Sequence, residues 1–122
     1  MDRIRKEYKN GKEFLVTDFS DCNEDQMIQM VAQIRDLILN EDKQQLVLAI
    51  FNEKNFLTPK LMEYYRTEKT EATRLIRKQA LVGFTGSKLW ILKGYNLFAK
   101  RNIRPFNTTT EAIDYLVDDS RI

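Results

Sequence analysis

The sequence predicts an α/β fold: one domain over residues 1–122, with a mixed, mostly parallel sheet of about four or five strands built from βα units. Three observations carry that expectation. Two short continuous apolar runs, QLVLAIF at 45–51 and QALVGFT at 79–85, read as strands covered on both faces. Segments with helical apolar spacing separate the strands, so neighbouring strands are joined by crossovers and run parallel. Near the start, Asn10-Gly11 is a strong type I′ turn signal, which places an antiparallel hairpin at the sheet edge.

The elements follow in order. A weak strand ends near Tyr8, and a clear one runs from Phe14 to Phe19 across the hairpin turn. Asn23 precedes Gln26 by three, a capping-box spacing that opens a helix. In that helix Met27, Met30, Val31, Ile34 and Ile38 share one face, so they are expected in the core, the methionines as fillers. After the strand at 45–51, Thr58-Pro59 supplies an N-cap and first-turn pair for a helix burying Leu61 and Tyr65. Its far end, RTEKTEATR, is polar all round and is expected to end or bend. The strand at 79–85 leads to a helix over 87–101 and a short strand around Arg104–Phe106. Thr108-x-x-Glu111 then reads as a second capping box, before a helix burying Ala112, Ile113 and Leu116. In a sheet of this kind, ligands bind beyond the carboxyl ends of the strands. The loops there are Asp21–Asp25, Asn52–Pro59, Thr85–Ser87 and Asn107–Thr110.

Composition narrows the chemistry. The chain has no histidine, so no Ser-His-Asp or Cys-His system and no histidine-ligated metal site can be assembled. No catalytic residue, metal or cofactor is expected. Paired carboxylates remain possible acid–base groups, but no spacing singles out a pair. Asp18 and Asp21 flank a strand end, where Asp serves as a turn or cap residue. The single cysteine, Cys22, has no internal disulfide partner and suits a reducing compartment. No 18-residue apolar run occurs, and MDRIRKEYKNGKEF lacks the apolar centre of a signal peptide, so a cytoplasmic location is expected.

Residues 83–88, Gly-Phe-Thr-Gly-Ser-Lys, invite comparison with a phosphate-gripping loop. Only two residues separate the glycines, where four must precede the Gly-Lys-Ser/Thr, and here serine comes before lysine. It is not a Walker motif. The simpler account is that Gly86 makes a turn and Thr85 or Ser87 caps the next helix. A strand followed by a helix N-terminus still offers backbone amides to an anion.

The succession of a polar helix, an Ala80-Leu81-Val82-Gly83 strand, a Gly-Ser helix start and Arg-Pro-Phe-x-Thr-x-x-Glu-Ala-x-x-Tyr-Leu at 104–116 resembles a known family. The likeness is to small STAS-like bacterial proteins related to the sporulation anti-anti-sigma factor, a fold also likened to lipid-binding CRAL-TRIO domains. Phe106, Thr108, Glu111, Ala112 and Leu116 carry it, with Asn10-Gly11-Lys12 and Val16-x-Asp18-Phe19-Ser20 in agreement, over nearly the whole chain. The resemblance implies a STAS-like domain and a non-enzymatic regulatory or binding module. Anti-anti-sigma factors are switched by phosphorylation of a serine opening the helix after the central strand. Here the Asp-Ser of that site is missing and Leu57-Thr58 is the nearest match, so Thr58, rather than Ser87, is the expected phosphosite. A phosphate at a helix N-terminus sits favourably, although Thr58 also explains itself as an N-cap.

Charge gives an independent pointer. Between Ala72 and Thr110 there are eight Lys or Arg and no Asp or Glu, while both flanking regions are net acidic. Either this basic middle faces an anionic membrane, protein or nucleic acid, or the acidic ends fold against it and cancel it. On the helix over 87–101, Ile91, Leu92, Tyr95, Phe98 and Ala99 share the natural core face. Trp90 and Leu97 lie on the other side, among Lys93, Lys100 and Arg101, and these five are the expected partner-binding residues. The alternatives are a helix buried on both faces and a homodimer seam. Nucleic acid is disfavoured, because no set of aromatics spreads over a basic sheet face. Two functions are therefore expected: a regulatory protein-interaction module, with a protein partner or a second copy bound, or a carrier of a small apolar or lipid-like ligand with a membrane-facing basic surface.

Overall fold

The structure, a computed structural model, describes residues 2–68, 70–99 and 101–118. Five strands form one sheet in sequential order: β1 (Ile4–Lys9), β2 (Lys12–Asp18), β3 (Gln45–Ile50), β4 (Ile76–Val82) and β5 (Ile103–Phe106). β1 and β2 are antiparallel, and each later neighbour is parallel. The turn between β1 and β2 has positive φ at both Asn10 (54°) and Gly11 (76°), as a type I′ hairpin requires. The expected mixed, mostly parallel sheet is the one observed.

Sequential strand order decides where the helices go. Each parallel crossover is right-handed, and all step the same way across the sheet, so their helices fall on one face. These are α1 (Glu24–Glu41), α2 (Pro59–Glu68), α3 (Thr70–Thr73) and α4 (Ser87–Ala99). α5 (Thr109–Val117) follows β5 and folds onto the opposite face. There it covers Phe14, Val16, Leu48, Ala80 and Val82 with Ala112, Leu116 and Val117. With helices on both sides, β2, β3 and β4 bury successive residues on both faces, which is why they read as unbroken apolar runs.

Local signals held closely. Asn23 and Gln26 form both halves of the capping box, and Met27, Met30, Val31, Ile34 and Ile38 are all buried. Thr58 Oγ1 accepts from Leu61 N at 3.1 Å ahead of Pro59, and Leu61 is buried. The second box is only half formed. Thr108 Oγ1 accepts from Glu111 N at 3.1 Å, but the Glu111 carboxylate takes the Thr108 hydroxyl at 3.2 Å rather than the backbone amide. Four side chains expected in the core are only partly covered: Tyr65, Tyr95 and Ile113 are half-buried, and Ile91 is 38% exposed. Tyr65, Ile91 and Tyr95 line an apolar cavity between the helices and the sheet rather than a closed contact. Gly86 has φ +57°, the turn expected before α4. No helix among the described residues is long and apolar enough to cross a membrane.

Candidate functional site

At the carboxyl ends of the strands, where ligands bind in many parallel sheets, the polar groups are occupied with one another. Asn55 is fully buried. Its Nδ2 donates to Phe19 O (2.8 Å) and Cys22 O (3.1 Å), while its Oδ1 accepts from Asn52 N (2.8 Å). Asn52 in turn exchanges hydrogen bonds with Asp21, which stands at φ 65°. Asp18 Oδ1 accepts from Ser20 N and Oγ, and Lys88 Nζ donates to Asn52 O at 3.1 Å. Both aspartates are thus turn residues. Beneath this layer Phe19, Phe51 and Phe84, one ring at the end of each central strand, lie with centroids 4.8 Å apart in sequence. Between the ends of β4 and β5 a shallow cleft of about 240 Å³ remains, lined by Phe84, Leu89, Pro105, Phe106, Asn107 and Glu111.

Thr58 is half-buried, and its hydroxyl donates to a Glu24 carboxylate oxygen as well as capping α2. A phosphoryl group there replaces that donor and faces a carboxylate. Lys60, at 3.9 Å from Glu24 and 4.0 Å from Asp25, offers partial compensation. Ser87 stands exposed at the first position of α4.

The outer side of α4 is different. Trp90 is 73% exposed and Leu97 83%, two turns apart on one side, with Lys93 Nζ 5.5 Å from the Trp90 ring centroid. Leu92 alone of the described α4 side chains is fully buried. The structure therefore brings together Trp90, Lys93 and Leu97. Arg101 goes elsewhere: its guanidinium donates to Thr73 Oγ1 (3.0 Å) and Gln79 Oε1 (2.9 Å). Lys100, and the side chains of Phe98 and Ala99, lie outside the described residues. Phe56, in the loop before α2, is a further exposed large apolar side chain at 72%. Sequence reasoning missed it, because one aromatic in a polar loop has no periodicity to assign it a side.

Among the described residues the basic middle and the acidic ends are not joined by ion pairs. None of the described ion pairs uses a cation from residues 72–110. Five of them, Lys78, Lys88, Lys93, Arg101 and Arg104, serve instead as donors to neutral groups or lie over rings. Lys78 donates to Tyr115 O and Asp118 O, Lys88 to Asn52 O, and Arg104 stacks 5.0 Å from the Tyr115 centroid.

Between the sheet, α1, α2 and α4 lies an apolar cavity of about 70 Å³, lined in part by Leu61, Met62 and Tyr65 of α2 and by Ile91, Leu92 and Tyr95 of α4. One end is polar: Gln79 Nε2 donates to the Tyr65 hydroxyl at 3.1 Å, with Arg101 behind it. Burial, reinforced by the neighbouring Tyr65, pushes the Tyr95 phenol up to about 12, so it stays protonated at neutral pH.

No family model and no curated protein matches the chain. Among solved structures it is similar to an uncharacterized protein of the DUF3478 family from Shewanella loihica PV-4, described as having a SpoIIAA-like fold. The two share 15% identity over 93% of this chain and 91% of that one, with a TM-score of 0.70. The likeness shows that this chain has the SpoIIAA-like, STAS-type fold.

Proposed function

We propose that this chain is a non-enzymatic regulatory module that acts by binding another protein through the outer side of α4. The observation that carries the reading is the exposed Trp90–Leu97 pair with Lys93 lying against the indole. Removing a large apolar side chain from water contributes roughly 1.5–3 kcal/mol, which a partner recovers and the monomer forgoes. Tryptophan at the centre of such a patch is the commonest kind of anchor. Cations left unneutralised across residues 72–110 favour an acidic partner and speed its encounter. The self-satisfied polar layer at the strand ends supports a binding role rather than catalysis.

The test is Trp90→Ser with Leu97→Ser. Capture from an extract of the source cells should lose its protein partner with the double variant, while the melting temperature stays close to the parent's. A large fall in melting temperature would mean the two side chains belong to the core, and the reading would fail.

The apolar cavity favours a second reading, a carrier of a small apolar ligand with its basic surface on an anionic membrane. About 70 Å³ is the volume of roughly two waters, so a lipid-sized ligand needs α2 and α4 to separate first. Native mass spectrometry of freshly purified protein distinguishes the readings. A bare monomer or dimer supports the interaction module, and a retained small-molecule mass supports the carrier.

A further inference from the structure

The exposed side of α4 carries a residue that nothing within the chain accounts for. Gly94 lies inside the helix, is exposed, and is not among the glycines with positive φ. A Cβ added to it would meet no atom within 4 Å. Apart from proline, glycine is the poorest residue for a helix interior, so alanine at this position would favour the folded chain. Neither backbone conformation nor packing inside the molecule demands a glycine here.

Its place on the helix supplies a reason from outside. Residues three and four apart are neighbours on a helix surface, and Gly94 comes four after Trp90 and three before Leu97. The order along the ridge is therefore large, small, large. Trp90 and Leu97 stand about 10 Å apart along the axis, at about 1.5 Å per residue, with bare backbone between them. That gap matches the diameter of a second α-helix, about 10–12 Å with its side chains. A glycine at the crossing brings two helix axes to the short end of the usual separation of about 8–10 Å. A lipid surface gains nothing from such a notch, because glycine inserts no apolar side chain into it.

Charge decides what kind of helix fits. α4 carries no carboxylate, and none occurs from Ala72 to Thr110. Lys93 is exposed beside the notch, lies against the Trp90 ring, and forms no ion pair among the described residues. A second copy crossing here on a two-fold axis would set Lys93 level with its own counterpart. Aspartate or glutamate beside a partner's apolar stripe would instead meet an unpaired ammonium.

We infer that the partner docks through an acidic amphipathic α-helix that crosses α4 at Gly94, its apolar stripe between Trp90 and Leu97 and a carboxylate against Lys93. This placement rests on the proposed function of α4 as the binding surface and specifies what that surface grips.

The experiment is photo-crosslinking of the whole chain in the source cells, from a large apolar crosslinking residue at position 97. It is run in the parent, Gly94→Ala, Lys93→Glu and Lys93→Arg, and the crosslinked segment of the partner is located by mass spectrometry. The expected adduct falls on a segment with apolar residues at i, i+3, i+4 and i+7 and more Asp and Glu than Lys and Arg. Gly94→Ala should raise the melting temperature by a few degrees yet cut the adduct at least fivefold, since its methyl favours the helix and fills the notch. Lys93→Glu should cut the adduct likewise, and Lys93→Arg should keep it. An adduct on a second copy or on a segment without that pattern overturns the proposal, as does a yield that Gly94→Ala or Lys93→Glu leaves unchanged. A fall in melting temperature in Gly94→Ala overturns it too, because the fold itself would then require the glycine. If the partner is still lost in Trp90→Ser with Leu97→Ser, those results remove only the helix at Gly94 and leave the α4 surface standing. A partner retained by that double variant removes the surface itself.

Discussion

Asn55 shows how one buried polar side chain fixes two loops. It supplies the amide partners of Cys22 O and Asn52 N, so Asn55→Leu leaves both groups without one. The expected loss is roughly 2–4 kcal/mol of stability by chemical denaturation; a loss below about 1 kcal/mol would show that water replaces the amide. Nothing in the sequence marked this residue, because an asparagine in a loop looks the same whether it faces solvent or its own backbone. Asn23 was legible, since its role depends only on Gln26 three positions on. Glu13 sets a pH-dependent contribution. The Tyr8 hydroxyl, donating at 2.8 Å, and then Lys43 at 3.1 Å hold its carboxyl below the ordinary 4.5. A lowered folded-state value means stability that is present above 4.5 and is lost as pH falls through the folded value. Glu13→Gln should therefore be less stable than the parent at pH 7, by at most about 1 kcal/mol for so accessible a group. The two should converge in acid; a gap that stays constant to low pH would remove the carboxylate from the account.

Among the elements, β4 depends on close approach to β3. Gly83 has φ +99°, and a Cβ there would lie 1.9 Å from Phe51 O, which is backbone and cannot turn aside. Gly83→Ala should cost at least about 2 kcal/mol and lower the melting temperature by several degrees; a neutral result would mean the end of β4 relaxes freely. Strand and helix identities were readable because burial on both faces leaves an unbroken apolar run and burial on one face leaves a stripe. α4 was the ambiguous case. Its apolar residues go nearly all round, and only neighbours decide which of them are covered. Leu92 is covered, Ile91 is partly exposed at 38%, and Trp90 and Leu97 are left in water. That choice depends on which neighbours α4 meets in the fold, which no local pattern encodes. Arg101 illustrates the same limit, since its place next to Trp90 and Leu97 in the sequence gave no sign that Gln79 and Thr73 would claim it.

For the molecule as a whole, charge and topology act together. Sequential strand order puts four helices on one face and leaves α5 to close the other. Among the described residues, Lys78, Lys88, Arg101 and Arg104 of the basic middle are held by carbonyls, an amide and a ring rather than by carboxylates. On the outer side of α4 the fold leaves a ridge of Trp90 and Leu97 with Lys93 against the indole. The claim that this ridge is the working surface is tested most directly by site-specific photo-crosslinking in the source cells. A crosslinking residue replaces Leu97 in one sample and Tyr8, which is 68% exposed on β1, in the control. A discrete adduct to one protein, or to a second copy of this chain, from position 97 and not from position 8 is the predicted result. Adducts absent at position 97, or identical from both positions, would contradict it.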